Sequence, residues 1–184
     1  MNVVKADIWT YITKADALCV TTNGFVKWNG HAVMGRGIAF QACNRYPRLD
    51  LVLGDKISRE GNQVYKLTTD RGTNILSFPT KPIKEKRSPD GSNIIGRMRD
   101  QFKPGEFVPG WALKSNLSLI ARSAKELLIL VDKNPEWKLV VLPKPGCTNG
   151  ELTWKDVEPV LDQYLSDERF LIVDLMWREY SKWK

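Results

Sequence analysis

Two glycine-rich stretches of this sequence carry the residue types that hold anions, and each lies where a buried strand gives way to a helix. The first, residues 23–39, reads Asn-Gly-Phe-Val-Lys-Trp-Asn-Gly-His-Ala-Val-Met-Gly-Arg-Gly-Ile-Ala, punctuated by Gly24, Gly30, Gly35 and Gly37. Glycines there let backbone N–H groups come close to a ligand. The start of the following helix adds unpaired N–H donors at the positive end of its dipole. The second stretch, residues 144–151, reads Lys-Pro-Gly-Cys-Thr-Asn-Gly-Glu. Two strand-to-helix loops at one edge of a parallel sheet form a crevice at its carboxyl end, the usual place for ligands in such folds. Two phosphate-friendly loops facing one another suit a diphosphate. The first loop matches neither the Walker loop nor the Rossmann fingerprint.

Few side chains in these loops are reactive. His31 is the sole histidine of the chain, and it is either a polar loop residue or a general base for attack on a phosphate monoester. Trp28 beside it either stacks on a base or covers an edge of the core. Cys19, Cys43 and Cys147 are odd in number with no C-x-x-C spacing. They read as thiols kept reduced, and a nucleophilic Cys147 would need a base nearby. No metal or cofactor is expected.

The elements that must position these loops alternate between strand and helix. Strands are expected over residues 2–8, 17–22, 63–69, 74–78, 138–142 and 170–175, from short apolar or alternating runs. Helices are expected over 38–46 (stopped by Pro47), 49–59 (ending near Gly61) and 154–165. Residues 111–131 carry Leu117, Ile120, Ala121, Ala124, Leu127 and Leu128 at helical spacing. The pattern predicts a three-layer α/β/α domain with a mixed, mostly parallel central sheet, spanning residues 1–184 as one unit. Residues 79–110 break it. They hold five prolines, little apolar periodicity and an excess of Lys and Arg, and are expected to form a long basic loop, either solvated or a mobile flap that meets an anionic substrate.

Composition sets the frame. Hydrophobic residues make up 42% of the 184, enough for a core without disulfides or a structural metal. No signal-peptide pattern precedes the first strand and no run approaches the roughly 18 apolar residues of a membrane span. A monomer is expected in the cytoplasm (the host cytoplasm for a viral protein), with no membrane partner. The net charge of +7 favours polyanionic partners, either nucleic acid or phosphate-bearing small molecules. The tail 177–184, aromatic and basic, either packs on the domain or touches nucleic acid.

Several of these segments resemble one family, the macrodomains. Ala6-Asp7-Ile8 is similar to the Gly-Asp-Ile that ends the first macrodomain strand, and 33–39 (Val-Met-Gly-Arg-Gly-Ile-Ala) resembles the family's first phosphate loop. Phe78-Pro79-Thr80-Lys81 and 146–154 (Gly-Cys-Thr-Asn-Gly-Glu-Leu-Thr-Trp) resemble the branch holding terminal ADP-ribose glycohydrolases and the DarG-type antitoxins that remove ADP-ribose from DNA. Gly37-Ile38-Ala39-Phe40-Gln41 with Arg45-Tyr46-Pro47 is similar to the related ADP-ribose 1″-phosphate phosphatases. The likeness runs from about Val4 to Leu175.

By that resemblance Asp7 would accept the adenine amino hydrogens, beside Ile8, and Asn23 would sit beside the distal ribose. Backbone N–H groups of Val33, Met34, Gly35, Arg36 and Gly37, leading into Ile38, would hold the diphosphate with those of Gly146, Cys147, Thr148, Asn149 and Gly150. Lys81 matches the lysine that glycohydrolases of this branch need for catalysis. The resemblance also has three departures. Gly150 stands where some glycohydrolases carry an Asp, with Glu151 next to it; Val20 stands for the family's strand-end Asn; and residues 25–31 lengthen the first loop. ADP-ribose, or an ADP-ribosylated protein or nucleic acid (DNA or RNA), is the expected partner. Three functions follow: an ADP-ribosyl hydrolase using Lys81, a 1″-phosphate phosphatase using His31, or a reader that binds without turnover.

Overall fold

The computed structural model describes residues 2–175; the tail 177–184 lies outside the described residues. Its centre is a six-stranded sheet. In chain order the strands are β1 (Asn2–Ala6), β2 (Ala17–Asn23), β3 (Lys66–Asp70), β4 (Thr73–Lys81), β7 (Val140–Pro143) and β8 (Phe170–Leu175). In space the order is β1-β8-β7-β2-β4-β3. All neighbours run parallel except β3, which is antiparallel to β4.

Strand alternation divides the apolar side chains between two faces. Leu18, Val20, Ile75, Val141 and Val173 pack against α1 (Gly37–Arg45) and α2 (Leu49–Glu60). Ala17, Cys19, Leu76, Phe78, Val140 and Leu142 pack against α3 (Leu117–Asp132) and α4 (Trp154–Leu165). These are the three layers expected from the strand and helix pattern. Gly54 of α2 makes one of them possible, because a Cβ there would lie 1.9 Å from Gly30 O of the first loop.

Several boundaries differ from the sequence pattern for local reasons. β1 stops at Ala6 because Asp7 turns the chain, its Oδ1 accepting Trp9 N–H at 3.0 Å to cap a 3-10 turn, Ile8–Tyr11. β7 starts at Val140 because the N–H groups of Lys138 and Leu139 donate to Asp16 Oδ2, at 2.7 and 2.9 Å. β3 starts at Lys66 because Val64 and Tyr65 N–H are taken by Glu126 Oε2 and Ser77 Oγ. α3 starts at Leu117, where Asn116 Oδ1 accepts Leu119 N–H at 3.0 Å.

β4 differs most, running three residues past Phe78 and through Pro79. A proline is tolerated there because β3 covers only Thr73–Leu76 and Tyr65 O takes Ser77 N–H, so no strand covers β4 on that side beyond Ser77. Pro79 O accepts Ser123 Oγ–H at 2.8 Å. Lys81 is therefore a strand residue, paired with Asn23 of β2.

The segment expected to be structureless is ordered. β5 (Lys84–Lys86) and β6 (Phe107–Pro109) form an antiparallel ribbon. Ile94, Val108, Ala112 and Leu113 make a small core of their own beneath it. Asn93 closes the turn, accepting Ser88 N–H and donating to Lys86 O. Ile95 N–H to Ala112 O (3.0 Å) and Lys114 N–H to Asn93 O (2.8 Å) close the segment on itself ahead of α3. With so few apolar groups, one deletion is severe. Ile94→Ala is expected to cost about 2–4 kcal/mol locally. Hydrogen exchange should show lost protection across 82–114, while β2 and β7 keep theirs.

Candidate functional site

The carboxyl ends of the parallel strands converge on a cavity of about 580 Å³. Asn23 of β2, Thr80 and Lys81 of β4, Pro143 of β7, and Asp174 and Leu175 of β8 form its floor. Val33 to Ile38 form one wall, and Gly146 to Gly150 the other. The two glycine-rich loops thus face one another across one groove.

Both walls present unpaired donors. N–H groups of Met34, Gly35 and Arg36, and of Gly146 to Gly150, donate to no group among the described residues. Arg36, the residue before α1, makes no side-chain cap, so the first turn of α1 keeps its N–H groups for an occupant of the groove. Val33 is a correction to the expected set, since its N–H already donates to Phe25 O at 3.0 Å. Thr22 Oγ1 and Ser115 Oγ, both on residues lining the cavity, are buried without partners. Buried hydroxyls without partners are rare.

Lys81 is the buried amine of the cavity. Only 8% of the residue is exposed, and its Nζ donates to Asn149 O of the second loop at 2.8 Å. The backbone around it is held tightly. Thr80 O accepts Asn116 N–H at 2.9 Å, and Lys81 O accepts Gly24 N–H and Asn62 Nδ2–H. Burial, with the nearby guanidinium of Arg97, pulls the Lys81 ammonium down to about 8; Glu151 opposes the shift and Arg36 adds to it. Beside Lys81, Asn23 Nδ2 donates to Val33 O at 2.6 Å and its Oδ1 accepts Phe25 N–H, stitching β2 to the first loop.

Gly150 could not carry an Asp without a rearrangement, because a Cβ there would fall 2.0 Å from Ser115 Oγ. Glu151 does not replace that carboxylate. Its Oε1 accepts Gly96 N–H at 2.8 Å and its Oε2 pairs with Lys114 Nζ at 3.6 Å. Cys147 lines the cavity, but burial pushes its thiol up to about 11 and its Sγ–H is aimed at Pro145 O. The sole histidine, His31, does not line the cavity. Among the described residues no group of three or more His, Cys, Asp or Glu could hold a metal ion.

His31, Asp7 and Ile8 are not brought into the cavity wall. His31 Nδ1 bonds Asp50 Oδ2 at 2.9 Å, anchoring the first loop on α2. Ile8 is fully buried in the core. Asp7 is exposed at the same sheet edge, one residue beyond the Ala6–Leu175 pair. The carboxylate in the wall is Asp174, paired with Lys144 Nζ at 2.8 Å, and that ammonium also lies over the Trp154 ring. Trp28, 99% exposed, covers no core edge.

Sequence reasoning missed Arg97, Met98 and Trp111, which close the cavity from the ordered insertion. No local signal marks them, since the insertion reaches the groove only by tertiary packing.

No family model matches the sequence, and no curated protein matches it. Solved structures do. The macrodomain of Mycobacterium tuberculosis DarG is 23% identical, with a TM-score of 0.64 over 94% of this chain and 95% of that one. The Thermus aquaticus DarG macrodomain is 19% identical at the same TM-score and coverage. Thermosipho africanus DarTG in complex with ADP-ribose is 20% identical, with a TM-score of 0.64 over 96% of this chain and 42% of that longer one. This chain has the macrodomain fold. In a macrodomain of this shape the two glycine-rich walls and the Asn23–Lys81 pair occupy the carboxyl edge of the sheet, where the fold leaves its groove.

A buried ammonium costs stability, with a testable sign. The Lys81 value is lowered in the fold, so the unfolded chain binds its proton more tightly. The cost is full below about 8 and fades as pH climbs from there to the ordinary lysine value of 10.5. Lys81→Met is therefore expected to stabilise the macrodomain at pH 7 by on the order of 1–3 kcal/mol. Denaturant titrations at pH 7 and pH 10 should show the gain shrinking at the higher pH.

Proposed function

We propose that this macrodomain binds ADP-ribose in the groove and hydrolyses the bond joining its distal ribose to a modified protein or nucleic acid. The observation that carries the reading is the Lys81 ammonium, buried at the floor between two walls of unpaired backbone donors and held by Asn149. The walls suit a diphosphate. ADP-ribose is bound by one structural neighbour, Thermosipho africanus DarTG. The adenine is assigned to the end formed by Lys144, Asp174 and Leu175, with Asp7 just beyond, and the distal ribose to Asn23 and Lys81.

A lysine lowered to about 8 is a partly neutral amine near physiological pH, and so a nucleophile. Its nitrogen lone pair forms a bond to ribose C1″ while the bond from C1″ to the target breaks, its electron pair leaving with the target atom. That atom takes up the proton the nitrogen loses. Water then displaces the nitrogen, giving free ADP-ribose and restoring the amine. Asn149 O, accepting from Nζ, orients the amine. The net positive charge of the chain favours a nucleic-acid target.

The phosphatase reading is less favoured, since His31, bonded to Asp50 through Nδ1, does not line the cavity. A reader without turnover would bind ADP-ribose and release nothing from any substrate.

Calorimetry with ADP-ribose, and incubation with ADP-ribosylated oligonucleotide and peptide, test the proposal. Lys81→Ala is expected to leave ADP-ribose affinity within a few-fold and to lower hydrolysis by about a hundredfold or more. Hydrolysis by the unaltered protein should rise with pH through a midpoint near about 8. Full activity in Lys81→Ala would reject the mechanism.

A further inference from the structure

We propose that Arg97, carried on the 3-10 turn Gly96–Gln101 of the insertion, is a positioning residue for the reaction at Lys81, a cation in the same cavity that adds to burial in favouring the free amine. The inference rests on the hydrolase reading above. Arg97 lines the same cavity as Lys81 although it is 16 positions away and lies on another element. It has no ion-pair partner among the described residues. A guanidinium stays protonated at every pH the protein meets.

The turn that carries Arg97 is fixed on both sides. Gly96 N–H donates to Glu151 Oε1 at 2.8 Å, and Met98 N–H donates to Ile95 O at 2.8 Å. Ile95 is fully buried and bonded to Ala112 O. Glu151 thus latches the insertion to the second wall, and Lys114 holds its other oxygen. A carboxylate placed beside the reacting end is committed to the turn and to a lysine.

The charged groups acting on Lys81 come from three sides: Arg36 from the first loop, Glu151 from the second, its other oxygen paired with Lys114, and Arg97 from the insertion. After burial, Arg97 has the largest effect on the Lys81 ammonium, and it favours the neutral amine, while Glu151 favours the charged form. The two residues that meet through Gly96 therefore act on the nucleophile with opposite sign. This divides labour within the insertion, whose ribbon and small core support a turn that delivers one charge to the groove.

The test is a direct titration of Lys81 by NMR in lysine-labelled full-length protein, its signal assigned by loss in Lys81→Arg, beside pH–rate profiles of hydrolysis. Arg97→Met should move both midpoints to higher pH and lower the rate at pH 7 by roughly three- to tenfold. Arg97→Lys, which keeps the charge, should restore both. Glu151→Gln, which keeps an acceptor for Gly96 N–H, should move both to lower pH. A purely structural role would not produce shifts of opposite sign, and circular dichroism checks that each variant is folded. Coincident Lys81 titrations in the unaltered protein and Arg97→Met would overturn the inference, as would a rate profile that stays in place while the titration moves. Hydrolysis that persists in Lys81→Ala removes the hydrolase mechanism and this inference with it. Loss in Lys81→Ala with no shift in Arg97→Met removes the inference alone.

Discussion

Keeping an ammonium out of water at the end of a central strand imposes conditions on everything around it. Lys81 is buried with one strong acceptor, Asn149 O, and the second loop must hold that carbonyl in place. The loop can do so because it is pinned in turn, with Gly150 O accepting Ser115 N–H and Gly146 O accepting Leu152 N–H. Gly150 packs so closely on Ser115 that no side chain fits. β4 carries Lys81 this far because Ser123, Asn116, Gly24 and Asn62 satisfy the carbonyls of its last three residues. A buried charge is tolerated where its alternatives are worse or its chemistry is needed, and here the surrounding hydrogen bonds have been arranged to keep it.

The insertion belongs to this arrangement. It has its own strands and core, yet Gly96 and Lys114 bond Glu151 of the second wall, and Pro82 O accepts Gly24 N–H of the first loop. Its basic character reads from sequence as a solvated or flapping loop. In the fold those charges divide into two sets. Lys84 and Lys86 lie over the exposed ring of Phe107 on the outer ribbon, while Arg97 turns towards the cavity.

His31 shows how a residue type can mislead. A lone histidine in a glycine-rich loop has the chemistry of a general base, but His31 does not line the cavity, and its Nδ1 bonds Asp50 to hold the lengthened loop against α2. Alanine 32 repeats the same tie through its N–H to Asp50 O at 2.9 Å. Asp7 behaves similarly, since the carboxylate that could face a purine also caps the turn that ends β1. A side chain's reactivity is legible in a sequence; whether a neighbour has already claimed it is not.

What the sequence determined by itself were the features that depend on near neighbours along the chain. Alternation and helical spacing set the three layers, α4 and β8 down to their end residues, and the two loops whose glycines follow buried strands. The resemblance of Phe-Pro-Thr-Lys to the glycohydrolase branch pointed to Lys81. Only tertiary structure decided the rest, because it depends on partners distant in sequence: Asp16 ending the reach of β7, the uncovered flank that lets β4 run through Pro79, Arg97 and Trp111 arriving at the groove, and Glu151 turned away to Gly96. The lowered ammonium of Lys81 belongs to that second class. Burial and long-range charge produce it, and neither is a property of any stretch of sequence.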